Sequence, residues 1–181
     1  MANKELNSKQ CTVAWYVNDN KISHVDPKVV DSVIEMIEGK FGTMTKRRGK
    51  NHEFVGMGIM FIEDGKVEIL MKEYLEESIM AFGEDIGKKV NTSVKGDLFT
   101  IDEESEDLDD EKSERFHHIV SKLLFVSKRA RPDIELAISF LCTRVSKSKV
   151  QDWEKLRRLL SYLQCTLDMP RIIGANGFEL L

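Results

Sequence analysis

Trp15-Tyr16-Val17-Asn18-Asp19-Asn20-Lys21-Ile22-Ser23 is the stretch of this 181-residue chain best suited to chemistry. Thr12 to Val17 is rich in strand formers. Asn18-Asp19-Asn20 favours the positive-φ conformations of a tight hairpin turn, and the chain then leaves as a second extended piece. A carboxylate at the tip of such a hairpin is held rigidly and faces solvent, as divalent-metal chemistry on phosphates requires. Asp19 is that carboxylate. On these residues alone, an ordinary surface turn is the simpler explanation.

The elements around the hairpin are legible from spacing. Asp26-Pro27 is a helix start, with Asp as N-cap and Pro at the first helical position. Val30, Val33, Ile34 and Ile37 follow at helical spacing, and Gly39 or Gly42 can close the helix. Phe54 to Ile62 and Val67 to Met71 read as strands joined at Asp64-Gly65, a two-residue hairpin signal. Leu75, Ile79 and Phe82 share a face of a short helix that stops at Gly83. Three further stripes follow: Ile119 to Val126, Ile134 to Val145 starting at Pro132, and Trp153 to Leu163 ending before Pro170. Short connections between them predict a small helical bundle.

Composition bounds the class. Hydrophobic content of 41% with 32% charged residues is that of a globular protein. No apolar run is long enough to span a bilayer and no charged-then-apolar leader opens the chain, so a membrane partner is not expected. Cys11, Cys142 and Cys165 are an odd count without metal-ligand spacing, which predicts reduced thiols in an intracellular protein, cytoplasmic or nuclear. The net charge of −4 is unevenly spread. Residues 97–114 hold ten acids against one base, Lys112, and predict an exposed acidic linker. Residues 115–181 hold twelve bases against six acids, a balance suited to phosphate contacts or to a solvated face. His117-His118 are adjacent, so on a helix they diverge by roughly 100° and cannot readily share a metal.

Several blocks resemble, in order, those of copia-type retrotransposon reverse transcriptases. Tyr16-Val17-Asn18-Asp19 resembles the family's Tyr-Val-Asp-Asp catalytic hairpin, with Asn18 where the family has its first Asp. Phe41 to Met44, then Glu53 to Ile59, resembles the segment ending in Phe-Leu-Gly-Ile. Lys72-Glu73-Tyr74-Leu75 resembles Gln-x-x-Tyr-Ile, and Phe116 to Val126 resembles Tyr-Arg-x-x-Val-Gly-x-Leu-x-Tyr-Leu. Arg129-Ala130-Arg131-Pro132-Asp133-Ile134 is similar to Thr-Arg-Pro-Asp-Ile. Asp152-Trp153-Glu154 and Arg158 to Thr166 resemble His-Trp…Arg-x-Leu-x-Tyr-Leu-x-Gly-Thr, with Cys165 for Gly. The series covers residues 11–170 and is collinear, which is what makes it specific.

The resemblance implies an α+β fold: a partial polymerase palm of β-hairpins plus a helix over 1–95, the acidic linker over 96–112, and a small helical thumb and connection bundle over 113–170. Residues 171–181 would lead towards a ribonuclease H domain. It implies Mg2+ as the family's cofactor and an RNA/DNA primer–template as partner, with the rest of a Pol polyprotein as a further possible partner. Asn18 then occupies a metal-ligand position, Tyr16 flanks the catalytic hairpin, and Asp19 is the only carboxylate left of the family's trio. The neutral amide of Asn18 cannot offset a doubly charged ion as a carboxylate does, so no specifically bound metal is expected. The expectation is a truncated, inactive remnant of an RNA-directed DNA polymerase, lacking the fingers and the first catalytic Asp. The alternative is a non-catalytic module from the thumb region that binds nucleic acid or protein. Its phosphate contacts would come from Lys46, Arg47 and Arg48 in a basic loop, from Phe54 and Gly56 in a primer-positioning hairpin, and from Arg129 and Arg131. Packing roles for Phe54 and Gly56, and a helix-capping pairing of Arg131 with Asp133, compete with those assignments. If the family's neighbouring strands are missing, an apolar edge at Val13, Trp15 and Val17 would lie uncovered.

Overall fold

The computed structural model describes residues 2–17 and 19–174, and its chain divides into two compact units, 1–55 and 56–181. The first opens with an antiparallel sheet of β1 (Ala2–Leu6), β2 (Lys9–Tyr16) and β3 (Asp19–Ser23), with β2 in the centre. Helix α1 (Pro27–Phe41) begins as expected: the Asp26 carboxylate accepts from the Lys28 N–H at 2.9 Å, and Gly42, at φ 88°, ends it. Its buried residues Val29, Val33 and Ile37 close over Cys11, with Leu6, Val13 and Ile22 at the margin. The unit ends in β4 (Asn51–Phe54).

The expected strand from Phe54 to Ile62 is broken at its start. Val55 and Gly56 both have positive φ, and β5 (Met57–Phe61) begins after them. Gly56 is required there by space: a Cβ would stand 2.3 Å from the Tyr74 ring. In the second unit β5 pairs antiparallel with β6 (Val67–Leu70), and β6 with β7 (Arg171–Ile173). Phe61 pairs with Val67, so the reversal around Asp64-Gly65 takes five residues rather than two. Helix α2 (Lys72–Phe82) stops at Gly83 in the left-handed conformation, φ 70°.

Helices α3 (Asp110–Arg129), α4 (Glu135–Cys142) and α5 (Val150–Cys165) follow the three apolar stripes. A 3-10 turn over Pro132–Ile134 leads into α4. One core holds α2 to α5 together, centred on Phe82, Phe116, Leu123, Ile138, Trp153 and Leu160, all at most 2% exposed. The protein is thus a mixed α+β fold with small antiparallel sheets and, among the described residues, five α-helices. None of these helices is long and apolar enough to cross a membrane.

The acidic segment keeps its side chains in solvent, as expected, yet its backbone is fastened to the bundle. The Leu108 N–H donates to the Ser148 carbonyl and the Val150 N–H to that of Glu106. Gln151 donates to the Asp102 carbonyl and accepts from its N–H, and Lys149 Nζ donates to the Glu103 carbonyl. Leu108 packs against the bundle core, and Leu98 is buried at 6% exposed. Charged side chains repel one another; backbone amides do not, and these find partners at the start of α5.

Candidate functional site

The hairpin of interest is β2–β3. Val13 pairs with Ile22, both set against α1, and this fixes the register. Tyr16 then pairs with Asp19, so the chain reverses between them. Asp19 and Asn20, expected in the turn, belong to β3 instead. Asn18 itself lies outside the described residues. Tyr16 and Asp19 are exposed cross-strand neighbours beside the reversal. The Trp15 indole donates to the Val17 carbonyl at 3.0 Å and meets Phe41 edge-on, ring centroids 5.8 Å apart.

The uncovered edge expected along β2 is largely filled. Ala2–Leu6, not recognised as a strand, pairs with β2 on the side away from β3, and Val13 joins the core. Trp15 and Val17 remain exposed. Val17 sits at φ 48°, a costly conformation for a β-branched residue. Val17→Asn, suited to such a turn, is expected to stabilise the unit by about 1 kcal/mol. Slower amide exchange along β2 and β3 is the readout; unchanged exchange would remove the strain argument.

Among the described residues, no group of three or more His, Cys, Asp or Glu side chains comes together, and Asp19 is a single carboxylate, where Mg2+ favours several hard oxygens. His117 and His118 are both exposed on α3.

The phosphate-contact residues fare differently from one another. Lys46 pairs with Glu38 at 2.8 Å, Arg47 with Glu53 at 3.5 Å, and Arg48 with Asp31. Such exposed pairs are weak and exchangeable, so the loop is neutralised without being locked. Phe54 is half-buried at the end of β4. Gly56 has the packing role given above. Arg129 lies over the Phe125 ring at 3.6 Å and donates to the Phe125 carbonyl.

Arg131 is 1% exposed, and this excludes the phosphate-contacting role in this conformation. Its guanidinium forks onto both Asp133 carboxylate oxygens at 2.9 and 2.7 Å, and also holds the Thr166 carbonyl and hydroxyl at 2.9 and 2.7 Å. The Tyr162 hydroxyl donates to Asp133 at 2.8 Å. Burial pushes the Asp133 carboxyl up, but hydrogen bonds from Arg131 and Tyr162 outweigh it and hold it below the usual range. Burial and the hydrogen bond to Asp133 push Tyr162 up.

A second polar hub escaped the sequence. Glu84, just past α2, accepts from Lys112 at 2.8 Å, the Trp153 indole at 3.0 Å and Arg157 at 2.8 Å. Lys112 first, then Trp153 and Arg157, lower its carboxyl from 4.5 to about 2 against the effect of burial. The ionised form therefore contributes stability above about pH 4.5, and that contribution fades as pH falls towards 2. With solvent screening of a partly exposed group, it amounts to about 1–2 kcal/mol. Glu84→Gln should lower Tm at pH 6, with the deficit shrinking between pH 5 and about 3. A deficit independent of pH would contradict the assignment.

No protein-family model matches the chain, and no solved structure matches it.

Proposed function

We propose that this chain is a non-catalytic derivative of a copia-type reverse transcriptase, its first unit and the β5–β6 and α2 region corresponding to palm and its bundle to thumb and connection. The observation that carries the reading is how its separate sequence blocks interlock. Arg131 and Asp133 come from the Thr-Arg-Pro-Asp-Ile-like block; Tyr162 and Thr166, which they bind, come from the block that ends the series. Tyr74 of the Lys-Glu-Tyr-Leu block stacks on Phe125 of the Phe116–Val126 block, centroids 5.5 Å apart. Residues quoted for one resemblance thus serve as one another's packing partners.

Inertness follows from the hairpin. A two-metal polymerase centre needs several carboxylates converging on the triphosphate, and here Asp19 is paired only with a neutral Asn18 in sequence. Asp19 should accordingly give no discrete metal site. Adding Mn2+ to 15N-labelled protein tests this by paramagnetic broadening. Diffuse, weak broadening over the many exposed carboxylates is expected; saturable broadening centred on Tyr16 and Asp19 at micromolar Mn2+ would overturn the reading.

A further inference from the structure

We propose that the loop 87–95, laid against Arg158 of α5, is a binding site for phosphate groups. The inference does not rest on the polymerase ancestry. It starts from an imbalance in how the cations are used. Several cations of the second unit are matched to carboxylates: Lys72 by Asp168, Lys122 by Glu77, Arg144 by Asp152, Arg157 by Glu84. Lys88, Lys89 and Lys95 are all exposed and, among the described residues, have no carboxylate partner. No acid occurs between Asp85 and Asp97. The loop reads Lys-Lys-Val-Asn-Thr-Ser-Val-Lys, so amide and hydroxyl groups alternate with the charges.

The loop is built onto the bundle. The Ser161 hydroxyl donates to the Lys88 carbonyl at 2.6 Å, and Arg158 Nη2 donates to the Thr92 hydroxyl at 2.8 Å. Thr92 passes its own proton to the Val94 carbonyl at 3.0 Å, and Ser93 reaches the Asp133 carbonyl. Asp133, whose carbonyl Ser93 reaches, has its carboxylate already neutralised by Arg131.

An independent observation points to a ligand. Among the described residues, Arg158 Nε and Arg157 Nε are both shut off from solvent without a hydrogen-bond partner, but Arg157 is paired with Glu84 and Glu154 while Arg158 forms no ion pair. A guanidinium donor left unmatched in a half-buried position costs free energy that an acceptor would recover. A phosphate suits it: planar fork donors meet its oxygens with charge-assisted bonds, and flexible lysines add attraction without fixed geometry.

The source of the phosphate, a free phosphate compound or the backbone of a polynucleotide, is decided by two titrations of the full chain observed by 1H–15N NMR. One uses inorganic pyrophosphate and the other a short oligothymidylate. Saturable shifts of the residue 88–95 amides and the Arg158 Nε–H by pyrophosphate assign free phosphate compounds. Shifts with the oligonucleotide alone assign the polymer backbone, with a salt dependence that flattens by about two charges in the Lys88→Gln/Lys89→Gln variant. Either affinity should fall about tenfold or more in that variant, whose side chains are exposed and whose fold is therefore undisturbed, and in Arg158→Gln. Unshifted Arg158 Nε–H with both probes, or native affinity in the lysine variant, overturns the site.

Discussion

Arg131→Ala is expected to destabilise the second unit by about 3–5 kcal/mol. The native guanidinium satisfies Asp133 on two oxygens and Thr166 on two more, from a position that is 1% exposed. Removing it strands a carboxylate left, among the described residues, with the Tyr162 hydroxyl as its side-chain donor. It also frees the carbonyl near the end of α5, and the long aliphatic stem of arginine takes its packing with it. Arg131→Lys keeps the charge but loses the planar fork, and should recover less than half of the loss. Urea unfolding followed by Trp153 fluorescence in a Trp15→Phe background measures this in the unit concerned. A loss below about 1 kcal/mol would mean that Arg131 is a tolerated burial rather than a hub.

Trp153→Ala should be comparably severe, about 3–5 kcal/mol. The ring is 2% exposed and stacks on Phe82 with an interplanar angle of 18°, while its indole N–H holds Glu84. Alanine leaves a large cavity and removes one of three donors from a carboxylate that depends on them. Trp153→Phe separates the two parts: most of the packing survives and the hydrogen bond does not, so about 1 kcal/mol plus a smaller packing loss is expected. Circular dichroism during thermal unfolding reports both variants. Equal losses for Ala and Phe would show that the hydrogen bond, and not the stack, carries the contribution.

Much of this fold is written locally. Asp26-Pro27 and Gly83 mark helix ends through backbone chemistry that needs no partner, and the three stripes of the bundle coincide with α3, α4 and α5. What escaped was written at a distance. Ala2–Leu6 reads as polar coil, and becomes β1 because β2 offers it an unpaired edge. Arg171–Ile173 is only three residues long and owes its strand conformation to β6. The reversal falls between Tyr16 and Asp19, leaving Asp19 and Asn20 in β3, because the pairing of Val13 with Ile22 outweighed the local turn preference of Asp19-Asn20.

The candidate site was legible to a similar degree. Tyr16 and Asp19 were legible as parts of one hairpin, but with Asp19 in its turn; the register that makes them cross-strand neighbours is set by Val13 and Ile22. The burial of Arg131 was not, because arginine is ordinarily exposed; the Arg-Pro-Asp spacing hinted only at a pairing with Asp133. Lys88 to Lys95 carries no acid, and that stretch takes on meaning only with Arg158, which the fold brings to Thr92. Glu84 gave no signal at all, since its three donors come from α3 and α5.

Primer extension tests the proposed loss of catalysis most directly. Purified native chain and Asp19→Ala are incubated with an RNA–DNA primer–template, deoxynucleotides and Mg2+, and products are resolved at single-nucleotide length. The account predicts no added nucleotide in either sample. Extension by the native chain that disappears in Asp19→Ala would contradict it, and would make the β2–β3 hairpin a working metal centre.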